Sequence, residues 1–291
     1  MEDILARLKS GPVIVSDGAM GTMLQDAGLP TGMSPECWLL ESPDPVRAVH
    51  RAYVEAGSDL ILTCTFGGTR VRLKRAGLAE RVAEVNRRAV EIARKAAEDR
   101  AYVAGDIGPL GEFLAPLGKI TYEQAVEVFA EQAAALAESE VDVLYIETMS
   151  DLNEVRAAVE GVQQARSGIP IFVTLSFDTH GRTNMGVRPE QAAETLLALG
   201  VAACGANCGA TLEMTEGAVA KMHERAPQIP LIAKPNAGKP RTVGRDVVYD
   251  ATPEDMAEYA RRFVALGARV VGGCCGSTPA HIAAIARAVR G

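Results

Sequence analysis

The segment Val270-Val271-Gly272-Gly273-Cys274-Cys275-Gly276-Ser277-Thr278-Pro279 sets two adjacent cysteines on glycine hinges, between an apolar run and a helix start. Adjacent residues of a regular strand point to opposite faces, so both sulfurs reach one point only where the backbone leaves the strand, and glycine permits that without a Cβ penalty. A second hinge, Cys204-Gly205-Ala206-Asn207-Cys208-Gly209-Ala210, offers Cys208 as a third thiolate. Three cysteine sulfurs and one open position make a tetrahedral zinc site that still accepts a ligand from solution, as catalytic zinc does. The ligand expected there is a substrate thiol. A vicinal disulfide between Cys274 and Cys275 is the competing reading, at the cost of strain in the peptide that links them. Cys37, Cys64 and Cys204 read as small buried hydrophobes. No C-x-x-C pair occurs, which removes the finger, ribbon and thioredoxin patterns.

With 291 residues, 48% of them hydrophobic, the chain can bury one large core or two ordinary ones. The opening Met1-Glu2-Asp3-Ile4 carries acids and no apolar leader, and no run approaches the roughly eighteen apolar residues of a membrane span. A cytoplasmic protein with no membrane partner is therefore expected, and six irregularly spaced cysteines fit reduced thiols plus a metal. A formal net charge of −7 argues against nucleic-acid binding. The basic cluster Arg70-Val71-Arg72-Leu73-Lys74-Arg75 reads as a solvated helix start in preference to a docking patch for an anionic partner.

The elements that must position these cysteines alternate along the chain. Short apolar runs at 13–16, 59–62, 101–104, 141–146, 170–176, 201–205, 230–233 and 268–271 predict eight strands. Amphipathic patterns at 45–56, 81–98, 122–138, 152–165, 189–199, 212–225, 253–266 and 279–289 predict a helix after each. Thr121 with Gln124 forms a capping box, and Thr252 and Thr278 each precede a proline at a helix start. One strand followed by one helix, eight times, is the count of a single (β/α)8 TIM barrel, with residues 1–291 read as one domain. In that fold the chemistry sits after the carboxyl ends of the strands. The polar outliers fall there: Asp17-Gly18-Ala19, Thr63-Cys64-Thr65, Asp106, Glu147-Thr148, Asp178, Cys208, Asn236, and Cys274 with Cys275. Strands six and eight have one neighbour between them, so their tips can share a metal.

Taken together, Asp17-Gly18-Ala19-Met20-Gly21-Thr22, Gly205-Ala206-Asn207-Cys208, Pro235-Asn236-Ala237-Gly238 and Gly272-Gly273-Cys274-Cys275-Gly276 resemble the homocysteine S-methyltransferase family over roughly residues 10 to 290. The resemblance implies a Zn2+-bound homocysteine thiolate that attacks an activated methyl group. It places the zinc ligands at Cys208, Cys274 and Cys275, and the amino-acid end of homocysteine at Asp17, Gly18, Ala19 and Glu147. Glu147 would answer the ammonium, and the amides around Gly18 and Ala19 the carboxylate. An ion pair for Glu147, and plain loop hydrogen bonding for Asp17 and Asn236, are the structural alternatives. Before the thiol arrives, the Asn236 amide oxygen is expected at the fourth zinc position, with water as its competitor.

The methyl donor stays open. Phe66-Gly67 and Glu147-Thr148 stand where animal betaine enzymes are expected to carry an aromatic pair and a tyrosine, and the chain is only 4% aromatic, poor material for a quaternary-ammonium cage. Phe177-Asp178-Thr179, Gly181-Arg182-Thr183 and Pro235-Asn236-Ala237-Gly238-Lys239-Pro240 look closer to the homocysteine module of cobalamin-dependent methionine synthase, although no cobalamin or folate domain is expected here. Gly32-Met33-Ser34-Pro35-Glu36 and Ile146-Glu147-Thr148-Met149-Ser150 look similar to small bacterial enzymes commonly named betaine-homocysteine methyltransferases. The expected partners are homocysteine and a small-molecule methyl donor, with a separate corrinoid protein as the alternative methyl source.

Overall fold

The computed structural model describes residues 2–291 apart from Thr31, Arg166, Ser167, Thr179 and Arg245. Met1 and Thr179, both in segments read above, thus lie outside the described residues. Eight parallel strands form the ring: β1 (Ile14–Val15), β2 (Leu60–Leu62), β3 (Tyr102–Ile107), β4 (Val143–Met149), β5 (Ile171–Leu175), β6 (Ala203–Cys208), β7 (Leu231–Pro235) and β8 (Ala268–Val271). Each pairs with its sequence neighbour from β2 through β8, and β8 pairs with β1. Between β1 and β2 the ladder shrinks to the Ser16–Leu60 bridge. Asp17 completes this seam: its N–H donates to Leu60 O at 2.9 Å, and its Oδ2 accepts from Leu62 N–H at 2.8 Å.

The eight expected helices are present with ends within two residues of the predicted ones, from Pro43–Glu55 to Pro279–Arg290. The Thr121–Gln124 capping box closes. Asp255 serves Thr252, and His281 Nδ1 accepts from Thr278 N–H at 3.1 Å, so at each of these helix starts the N-cap N–H is satisfied by the side chain three residues on. The strands differ from expectation at their carboxyl ends. β3 reaches Ile107 rather than Ala104, β4 Met149 rather than Ile146, β6 Cys208 rather than Gly205, and β7 Pro235 rather than Ala233. A polar residue interrupts each apolar run there, and the sequence pattern stops at it while the backbone ladder continues. Helices Gly21–Asp26 and Pro35–Glu41, and an antiparallel ribbon of Arg241–Val243 with Asp246–Val248, decorate the upper rim.

Inside the ring the period of two stacks side chains in layers. The lower layers are apolar, with Val143, Tyr145, Phe172 and Ile232 in one buried cluster. The floor is plugged by helix Ile4–Ser10, capped by Asp3, whose Ile4 and Leu8 join that cluster. One step higher, the same periodicity places Asp106 on β3, Glu147 on β4 and Lys234 on β7 against the cavity above. No helix of the described residues is long and apolar enough to cross a membrane.

Candidate active site

A cavity of about 670 Å³ opens at the carboxyl ends of the strands, where a (β/α)8 barrel keeps its chemistry. At its base the Sγ atoms of Cys208, Cys274 and Cys275 all lie within 4.8 Å of one another, the only such metal-competent cluster of cysteine, histidine and acidic residues among the described residues. Cys208 and Cys274 stand 2.9 Å apart and all six cysteines are free thiols, so the vicinal disulfide reading is set aside. Zn–S bonds of about 2.3 Å in a tetrahedron put sulfurs roughly 3.8 Å apart; the trio is gathered within reach of one ion, with the Cys208–Cys274 pair closer than that spacing at 2.9 Å. Its proton chemistry fits as well. The Cys275 thiol is pushed down to about 3 by hydrogen bonds from Cys208 and Cys274, and the Cys208 thiol is pushed up by those bonds and then by burial.

Backbone geometry aims the sulfurs. Cys208 has φ +56° and Gly209 φ +83°, a left-handed turn that an L-residue adopts only under constraint, typically at functional sites. On the other hinge, Gly273 cannot carry a side chain, since a Cβ there would stand 2.3 Å from Ser277 Oγ. Asn236 ties the hinges together: its N–H donates to Cys208 O at 3.3 Å, its Nδ2 to Gly209 O at 2.9 Å, and its Oδ1 accepts from Cys275 N–H at 3.0 Å. This corrects the expectation for Asn236. Its amide oxygen is occupied by Cys275, so the side chain braces the cysteine loops instead of approaching the fourth metal position.

Glu147 lies beside this base. Alternation from Tyr145 turns the Glu147 side chain into the cavity, and a register shift between Ile146 and Met149, with Thr148 at φ +60°, forms a bulge just beyond it. Asn207 fixes the bulge, accepting from Thr148 N–H at 2.9 Å and donating to Thr148 Oγ1 at 2.7 Å. Burial, then the nearby Cys274 thiolate, push the Glu147 carboxyl up to about 8, so a cationic partner would relieve it.

The other three expected substrate residues also line the cavity, but two have internal duties. Asp17 Oδ1 pairs with Lys234 Nζ at 3.1 Å while Oδ2 closes the seam. Ala19 N–H is taken by Ser277 Oγ at 3.2 Å, and Tyr53 Oη donates to Ala19 O at 2.7 Å. Gly18 is squeezed against the same two side chains: a Cβ would meet Ser277 Oγ at 2.7 Å and the Tyr53 Oη at 2.8 Å.

Sequence reasoning passed over Lys234, Asn207, Ser277, Tyr53, Tyr249 and the cavity-lining role of Glu36. Burial alone would push the Lys234 ammonium down, but Asp17, Tyr145, Glu147 and Cys274 hold it up. Alternation from Ile232 would have found it had the strand been extended. The Tyr249 hydroxyl hydrogen-bonds Cys275 and its ring lies where a Cβ on Gly276 would be; nothing local in the sequence signals that approach. The Arg70–Arg75 reading also needs correction. Arg70 is a surface cation paired with Glu80 and Glu131, whereas Arg72 and Arg75 line the cavity mouth.

Comparison with known proteins agrees with this geometry. Residues 14–289 match the family model described as homocysteine S-methyltransferase. The chain is 35% identical to the methionine synthases of Mycobacterium leprae and Mycobacterium tuberculosis, over 95% of its own length. It spans about a quarter of the length of those relatives (24%). The structure of the homocysteine methyltransferase MmuM of Escherichia coli in its metallated form superposes with a TM-score of 0.82 at 27% identity, covering 97% of this chain and 98% of that one. A dihydrodipicolinate synthase of Bacillus anthracis, TM-score 0.52 at 8% identity, shares the barrel alone. The family match over nearly the whole chain, on a barrel with a three-cysteine cluster at the tips of β6 and β8, places this protein in the homocysteine S-methyltransferase family.

Proposed function

We propose that the protein is a cytoplasmic, zinc-dependent homocysteine S-methyltransferase that makes methionine from homocysteine and an activated methyl donor. The observation that carries this reading is the sulfur trio at the base of a large cavity with a half-buried carboxylate, Glu147, on its wall. Cys208, Cys274 and Cys275 would hold the metal, which when bound strips the proton from an incoming thiol at neutral pH. The Glu147 carboxylate accepts hydrogen bonds from the homocysteine ammonium, and the Gly18 loop, fixed by Ser277 and Tyr53, faces the substrate carboxylate. The Asn236 brace and the Asn207–Thr148 pair keep thiolates and Glu147 in register, so substrate binding requires little rearrangement. In transfer, the homocysteine thiolate forms the new S–CH3 bond while the bond from methyl to its carrier breaks, with the electron pair leaving on the carrier. No proton moves in that step, so no side chain need act as a general base.

Homocysteine methylation measured with betaine, S-methylmethionine and methylcobalamin tests the reading. Methionine should form with at least one donor and cease when the metal is chelated. Absence of product with all three, in protein shown to carry one zinc, overturns a stand-alone activity. The 35% identity to one quarter of the methionine synthases favours one second reading, a subunit that takes its methyl group from a separate corrinoid protein. Product formed only with such a protein would select it.

A further inference from the structure

The sulfur trio raises a question of selectivity. Cys208, Cys274 and Cys275 all line the cavity into which an activated methyl group must come, so that group meets three cysteine sulfurs as well as the substrate's. All four are alkyl thiols with an ordinary pKa of about 8.5, and that chemistry gives no ground for preferring homocysteine. Methylation of a ligand cysteine would be a dead end. The S–CH3 bond forms, the bond from methyl to its carrier breaks with the electron pair leaving on the carrier, and an anionic thiolate becomes a neutral thioether. Thiolate, not thioether, is what zinc takes from cysteine. A hydrogen bond to a thiolate draws on the electron density with which it attacks, so donors placed on the cysteine sulfurs can set the preference.

Two residues that do not line the cavity supply such donors. The Tyr249 hydroxyl hydrogen-bonds Cys275, and it comes from behind the sulfur, away from the space where homocysteine and the methyl group meet. A phenol titrates near 10 and is a donor at neutral pH. The approach is built in from both chains. Gly276 has φ +77°, and a Cβ there would stand 2.2 Å from the Tyr249 ring, so the ring fills the place of a side chain. Just past Tyr249, Ala251 N–H donates to Ala237 O and Ala237 N–H to Cys275 O, each at 2.9 Å, while Asp250 Oδ1 accepts from Lys239 N–H at 2.9 Å. The second donor is Asn207. Its Nδ2 serves Thr148 Oγ1 at 2.7 Å and lies 3.8 Å from both Cys208 Sγ and Cys274 Sγ, with Glu147 Oε2 at 3.5 Å.

We propose that Tyr249 is a positioning residue that protects Cys275 from methylation, so that the homocysteine thiolate is the strongest nucleophile among the four sulfurs. This rests on the homocysteine methyltransferase reading and deepens it by naming what directs the methyl group to one sulfur. Tyr249 touches neither the substrate nor the methyl group; it acts through Cys275. Asn207 shares its amide among two sulfurs, Thr148 and Glu147, whereas the Tyr249 hydroxyl is given to Cys275, so Cys275 is where the loss of one oxygen atom shows most.

The test compares the zinc-loaded protein with its Tyr249→Phe variant, which keeps the ring against Gly276 and removes only the hydroxyl oxygen. Methyl iodide supplies the methyl group, so no donor need be recognised. Zinc is measured first. Methylation of each cysteine is then followed by peptide mass mapping, with Cys37, a partly exposed thiol outside the cavity, as the internal reference. The variant should keep one zinc and methylate Cys37 at the wild-type rate, while Cys275 is methylated about tenfold faster, the value of one hydrogen bond to a charged group. With homocysteine present, the ratio of methionine to methylated Cys275 should fall by the same factor. An unchanged Cys275 rate in the zinc-loaded variant overturns the proposal. So does loss of zinc before the reagent is added, or an equal rise at Cys37 and Cys275, since either makes Tyr249 a prop of the fold alone. Wild-type protein that holds zinc but shows no fourth sulfur on it with homocysteine, read by X-ray absorption, is a different failure: it sinks the underlying function and leaves the Cys275 comparison readable.

Discussion

The two ends of the barrel are built on opposite rules. At the floor, charged groups are few and answered: Asp59 pairs with Arg7 and Arg290, each at 2.8 Å, and accepts from Val15 N–H at 2.9 Å, while Asp142 pairs with Arg94 at 2.9 Å. Arg269 donates to Leu8 O at 2.9 Å, pinning the plug helix by its last carbonyls. At the rim, four carboxylates, four cysteines and one lysine line one cavity, and Asp106 keeps an unanswered oxygen. The floor pairs its charges to stabilise the fold, whereas the rim concentrates charge around one cavity, as functional sites do.

The sharpest way to break the contrast is at the sulfur trio. Changing Cys208, Cys274 or Cys275 to Ser should abolish stoichiometric zinc and cut transfer by about a thousandfold or more, since metal activation is worth several kcal/mol. Cys37→Ser and Cys204→Ser should keep the metal. Metal analysis showing full zinc in any of the first three would remove that residue from the ligand set. The converse cut is at the floor: Leu8→Ala should cost about 2–5 kcal/mol in chemical denaturation and leave KM for homocysteine unchanged. A KM shift there would mean that the two ends are coupled.

His50, fully buried in helix Pro43–Glu55 with neither ring nitrogen partnered, makes the wall of the barrel acid-sensitive. Burial pushes its pKa down to about 4, against the pull of Asp17, whereas the unfolded chain protonates near 6.5. Between these values the unfolded state binds the extra proton, so stability is full above pH 6.5 and falls as pH drops toward 4, by about 3 kcal/mol. His50→Leu should flatten that slope in urea titrations at several pH values, and an unchanged slope assigns the acid sensitivity elsewhere.

Smaller again, Glu147→Gln should raise KM for homocysteine about 10- to 100-fold, the loss of a charge-assisted bond worth ~1.5–3 kcal/mol, with less effect on kcat. An unchanged KM would show that another group holds the ammonium. Smallest is Glu140→Gly at φ +62° in the turn that leads into β4, which should add about 1 kcal/mol by relieving left-handed strain. Thermal melts that show no gain would mean that the exposed turn carries no such strain.

The sequence alone settled the barrel and singled out the three cysteines that the fold brings together, because both leave local signatures: apolar period and helix caps for the one, glycine-hinged cysteines at strand ends for the other. It placed Glu147 at the rim for the same reason. Lys234 and the inward aim of Asp106 were hidden where polar residues cut short the apolar runs of β7 and β3, although alternation carries both side chains inside. Asn236 shows the limit differently. Its type and place suit a metal ligand, yet whether its oxygen meets a metal or the Cys275 N–H depends on how closely two loops, distant in sequence, approach. Only the closed ring decides that, since it brings β6, β7 and β8 side by side and turns one asparagine into the brace between their tips.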